Sequence, residues 1–201
     1  MPGFLDLSDR ATLLPVIHGS ADVAVLVRER LLAAGCDCLA VPLPASFAPE
    51  VLRAVDYLPA ITAVVQAEPE ESCASYVPID PCQPVIAALR FARSERIPIE
   101  FIDLETSRYE SAEANLPDPY ALRTLSLEQF LAAMLPAIAR PRPGSQADAR
   151  ARRMAFEIHR LELDHRRIVC LADVLDWPWI REAYIERRPY PEHETYFSPI
   201  H

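Results

Sequence analysis

Short, almost wholly apolar runs separated by stretches of helical periodicity constrain this chain more than any other feature. Residues 13–17, 38–41, 61–65, 97–103 and 167–172 are runs of this kind. They offer little polar face to solvent, so strands built from them need cover on both sides, which a parallel sheet with crossover helices provides. Residues 21–34 place Val23, Leu26, Val27, Leu31 and Leu32 at helical spacing, with Ser20 or Asp22 to cap the start and Gly35 at the stop. Further helices are expected over 49–57, 84–95, 125–139, 148–165 and 177–185, and an edge-like strand over 74–77. Residues 104–124 carry charge, Pro117 and Pro119 without periodicity, and read as a long loop over one end of the sheet. The expected fold is α/β in three layers, a mainly parallel central sheet of about five or six strands with helices on both faces. One domain spans 1–186, and 187–201 form an irregular tail.

Composition removes whole chemistries. All 20 basic residues are Arg, so a P-loop and a pyridoxal-phosphate or other Schiff-base site, each of which needs a Lys, cannot be built. The 4 glycines lie too far apart for a Gly-x-Gly-x-x-Gly dinucleotide loop, which removes the usual NAD fingerprint. A net charge of -9 argues against nucleic acid as a partner. The 5 cysteines, Cys36, Cys38, Cys73, Cys82 and Cys170, show no metal spacing and read as reduced thiols. No run is long enough to span a membrane and the N-terminus has no signal-peptide pattern, so cytoplasmic residence is expected.

In an open parallel sheet, ligands bind beyond the carboxyl ends of the strands. The polar residues at those positions are His18 and Ser20, Ser46, Gln66 and Glu68, Asp80, Asp103 and Glu105, and Asp173 and Asp176. A His among carboxylates can activate water directly or through a divalent metal. His18, Asp80, Asp103 and Asp176 are the catalytic candidates, with Ser20, Glu105 and Arg108 as ligand contacts. Structural readings compete. Asp176 and Pro178 suit the first turn of a helix without any function. The basic stripe through Arg150, Arg152 and Arg153 is interleaved with acids and reads as a solvated, salt-bridged face.

Four stretches carry a resemblance: Val16 to Ser20, Cys38 to Pro44, Tyr76 to Pro84 with the helix through Ala92, and Ile99 to Leu104. Together they resemble an uncharacterised bacterial family within the superfamily of erythromycin esterases, TraB-like and ChaN-like proteins, over roughly 13–185. The resemblance implies hydrolysis of an ester- or amide-type bond, with or without a metal, and matches His18 and Asp103 to superfamily positions. It also implies a small-molecule or peptide substrate, and association in gene neighbourhoods with MoxR-type ATPases and von Willebrand A-domain proteins. Members tend to be longer, so a short member or a piece of a longer protein is expected. The chain departs from the pattern twice. Val41-Pro42-Leu43-Pro44 stands where a Glu is usual, and Asp173-Val174-Leu175-Asp176 where a Gly-x-x-His is usual. Those losses support an alternative, a non-catalytic module of a bacterial multiprotein system that anchors a protein partner through an exposed Trp177, Trp179 and Tyr184.

Overall fold

Apolar alternation resolves, in the computed structural model, into six strands and six α-helices among the described residues, which are 3–67, 74–111, 114–191 and 200. The strands are β1 (Ala11–Val16), β2 (Cys38–Pro44), β3 (Thr62–Ala67), β4 (Ala74–Ile79), β5 (Ile99–Asp103) and β6 (Ile168–Asp173). The helices are α1 (Ala21–Ala34), α2 (Ala48–Val55), α3 (Pro84–Ser94), α4 (Leu127–Met134), α5 (Gln146–Leu161) and α6 (Trp177–Glu186).

Four strands form an all-parallel sheet in the order β1-β6-β2-β5. The steps β1 to β2 and β2 to β5 run in one direction and β5 to β6 runs back. Right-handed crossovers therefore set α1 and α3, which pack together, on one face, and α5 with α6 on the other. Local chemistry fixes the ends as expected for α1: Ser20 Oγ accepts from the Val23 amide, and Gly35 takes the left-handed conformation at φ 55°. The exposed edge of β1 is blunted by residues 5–7, where Leu13 N donates to Leu5 O at 2.9 Å and Leu7 N to Ala11 O at 2.8 Å.

β3 and β4 leave the sheet and pair with each other as an antiparallel ribbon, Thr62 opposite Ile79 through Ala67 opposite Ala74. The physical reason lies in β3 itself. Val64 and Gln66 point inward while Thr62, Ala63, Val65 and Ala67 are exposed, and a strand with one solvated face suits an antiparallel pair. The ribbon closes one side of the carboxyl edge, where His18, Pro44, Asp103 and Asp173 follow or end their strands in register.

Cys36, Cys38 and Cys170 are buried thiols and Cys82 is exposed; Cys73 lies outside the described residues. Burial pushes the Cys38 thiol up to about 12 and Cys170 well above its ordinary value, so both are protonated packing residues. Among the described residues no helix is long and apolar enough to cross a membrane.

The expectation of three exposed aromatic anchors on α6, Trp177, Trp179 and Tyr184, is overturned by the packing. Trp177 is only 2% exposed, lies 5.3 Å from the Phe4 ring and donates from Nε1 to Leu13 O at 2.8 Å. Tyr184 is also buried, stacked on His159 and donating to Glu162. Trp179 is half-buried under the Arg140 guanidinium. Replacing Trp177 by Phe keeps an aromatic body but strands the Leu13 carbonyl. A loss of about 1–2 kcal/mol in urea unfolding is expected, with an unchanged denaturant slope.

Candidate functional site

A cleft of about 670 Å³ opens at the carboxyl edge of the sheet. The end of β2 contributes Pro42 and Pro44 and the turn after it Phe47, the first turn of α3 contributes Val85 and Ile86, and the ribbon contributes Gln66 and Tyr76. The segment after β5 brings Thr106 and Tyr109 over the opening, so the region expected to cover this edge does border it. A second hollow of about 530 Å³ lies at the amino ends of β1 and β6, the end where open parallel sheets rarely place a site.

His18 stands two residues past β1 at the mouth of the cleft, with its side chain 54% exposed and Nε2 3.4 Å from Asp173 Oδ2. Asp173 is held by its own turn. Its Oδ1 accepts the Leu175 amide at 2.7 Å, which turns Oδ2 toward the imidazole. From the other side, Gly19 N donates at 2.8 Å to Oε1 of Gln83, the residue just before α3. Gly19 sits at φ 74°, a conformation that makes glycine the natural residue for this turn. The imidazole therefore rests on a turn tied both to β6 and to α3.

Arg150 forms the back of the cleft and corrects the reading of a solvated stripe. It is 6% exposed, and Nε and Nη2 grip Asp103 at 2.7–3.1 Å while Nη1 meets Asp176 Oδ2 at 3.1 Å. The Tyr109 ring covers the guanidinium, with its centroid 5.0 Å away. Burial opposes the charge on Arg150, yet the facing carboxylates outweigh it and hold its pKa well above the ordinary value. Burial raises the Asp176 carboxyl to about 6; Arg150 pulls it down, and Asp173 and Asp103 add to the rise. The helix-cap explanation of Asp176 also fails, since it sits at the cap position of α6 without a side-chain cap bond and spends its oxygen on Arg150 instead.

The other expected residues divide. Asp103 lines the cleft but is committed to Arg150 and to the Leu104 amide, which leaves it a structural part in place of a base. Asp80 does not line the cleft; it shapes the turn into α3, with Oδ1 accepting from Cys82 N at 2.7 Å. Ser20 is the cap of α1. Glu105 is buried and accepts from Ser46 N and Oγ at 2.7 and 2.6 Å, tying the segment after β5 to the turn after β2. Arg108 is exposed, and its carbonyl accepts from Gln146 Nε2. Glu68 lies outside the described residues. Sequence reasoning passed over Tyr109 and Gln83 and placed Arg150 in solvent. Helical spacing did hold a signal for Arg150, which falls on the same face as Met154, Ile158 and Leu161.

Among the described residues no three His, Cys, Asp or Glu side chains gather as a metal site. No protein-family model, curated protein or solved structure matches the chain.

Proposed function

We propose that the cleft is a hydrolytic site for a small ester- or amide-type substrate, with His18 as general base toward water and Asp173 as the residue that orients it. The observation that carries this reading is the His18–Asp173 pair at the mouth of an otherwise largely apolar cleft. Asp173 accepting from Nε2–H selects one tautomer and leaves Nδ1 with the lone pair that takes a proton from water. The hydroxide equivalent adds to the carbonyl carbon, and His18 returns the proton to the leaving oxygen or nitrogen as the acyl bond breaks. A separation of 3.4 Å is long for a hydrogen bond, as catalytic contacts often are before substrate binds. The superfamily resemblance implies hydrolysis and matches His18, whereas Asp173 stands in a stretch that departs from its pattern, so the pairing of Asp173 with His18 rests on the geometry alone. The rival reading as a partner module keeps the two departures from the superfamily pattern but loses its aromatic anchor with the burial of Trp177 and Tyr184.

The test is a panel of p-nitrophenyl esters and amino-acid anilides. Turnover is expected on at least one neutral member. His18→Ala should lower kcat/KM about a hundredfold, the lower end of general-base effects, because the imidazole is half in solvent. Asp173→Asn should lower kcat with KM nearly held, the mark of a positioning residue. No turnover across the panel, or turnover indifferent to His18→Ala, overturns the proposal.

A further inference from the structure

Gln66 has a feature that no other residue of the cleft shares. Four buried side-chain nitrogens lack a hydrogen-bond partner among the described residues, and of these only Gln66 Nε2 belongs to the cleft lining. The residue is 4% exposed and sits in the β3–β4 ladder opposite Ser75, so the backbone that carries the amide is fixed. Buried donors almost always have an acceptor, and because Gln66 lines the cleft, a bound ligand can supply the one its amide lacks.

The charges around the cleft limit what that acceptor can be. Arg150 is the guanidinium in the lining, and all three of its nitrogens are engaged by Asp103 and Asp176. One cation thus faces two carboxylates, and Asp173 adds a third beside His18. An incoming carboxylate or phosphate would meet excess negative charge with no guanidinium open to it. Pro42, Pro44, Phe47, Val85 and Ile86 offer apolar surface. This lining favours an uncharged acceptor.

We propose that the cleft binds an uncharged, largely apolar carbonyl compound, with Gln66 Nε2 donating to the carbonyl as the specificity-determining contact. This rests on the hydrolytic reading only for the identity of the carbonyl as an ester or amide; the binding preference stands by itself. Non-hydrolysable probes separate the two. By ligand-observed NMR, propiophenone should bind about tenfold more tightly than propylbenzene, which lacks the carbonyl, or the anion phenylacetate, the size of effect one buried hydrogen bond gives. Gln66→Leu should bring propiophenone level with propylbenzene, and Gln66→Met, which keeps length and flexibility, should do the same if the leucine variant does not fold. Propiophenone selectivity without turnover on the ester and anilide panel supports the ligand class and removes only hydrolysis. Phenylacetate bound as tightly as propiophenone, or a preference unchanged in both folded variants, overturns the inference.

Discussion

Arg150→Ala should destabilise the protein by about 3–5 kcal/mol at pH 7, the range found when one partner of a buried ion pair is removed. That is a large part of the stability of an ordinary domain. Asp103 ends β5, Arg150 lies in the second turn of α5, and Asp176 immediately precedes α6, so the guanidinium joins a strand of the sheet to the two helices on one of its faces at a single buried point. Removing it leaves two carboxylates, 4% and 6% exposed, with no compensating charge. Lost packing would give a deficit independent of charge, and that distinction can be measured. In an Arg150→Met background, adding Asp103→Asn and Asp176→Asn should restore most of the midpoint of urea unfolding, because uncharged amides need no counterion. A loss below about 1 kcal/mol for Arg150→Ala, the value of a surface pair, would mean that the cluster contributes little.

Much of the sheet was legible because its strands obey rules that act within a few residues. The runs that became β1, β2, β5 and β6 are largely apolar, and those of β1, β2 and β6 are each followed by a turn and a stretch of helical period. The destination of β3 was not legible. An apolar run such as Ile61 to Val65 is compatible with a covered parallel strand or a half-solvated ribbon, and only the finished structure, with Val64 buried and Val65 37% exposed, decides between them. The lower part of the expected loop also condensed into a 3-10 turn, Pro119–Arg123, started by Asp118 accepting from Tyr120 N, a contact too local for periodicity to register.

The site divides along the same line. The rule that ligands meet the carboxyl ends of parallel strands located His18, Asp103 and Asp173, because it depends only on strand direction. It gave no means of separating a residue that faces substrate from one that serves the frame. Asp103 and Asp176 look alike in sequence to Asp173, yet Arg150 claims the first two from 47 and 26 positions away in the chain. Arg150 itself was masked by its neighbours. Arg152 pairs with Asp148 and Arg153 with Glu157, so the salt-bridged part of the stripe reading holds for the two arginines that follow, while the solvated part does not, since Asp148 and Glu157 are themselves buried. The aromatic pair misled for a related reason, since Trp177 and Trp179 are two positions apart and a helix sends such residues to different faces.

Stability should run against the usual acid sensitivity at one carboxyl. In the unfolded chain Asp176 loses its proton near 3.8, whereas in the fold burial and the neighbouring carboxylates hold the proton until about 6. Between those values the native state carries more protons than the unfolded state, so this group's contribution to stability falls as pH rises. It is complete below about 3.8 and gone above about 6, a change of about 3 kcal/mol across the window. Asparagine mimics the protonated acid and does not titrate. Asp176→Asn should therefore match the wild type near pH 4 and exceed it by about 3 kcal/mol at pH 7.5, read from parallel urea unfolding at several pH values. A difference that stays flat with pH would mean that Asp176 remains ionised against Arg150 throughout. The same titration reaches the cleft. A protonated Asp176 leaves Arg150 and Asp103 as a neutral pair, which removes the excess negative charge behind the wall. Phenylacetate should then be excluded less strongly below pH 6 in the wild type and at every pH in Asp176→Asn, while the Gln66-dependent preference for propiophenone over propylbenzene is unchanged.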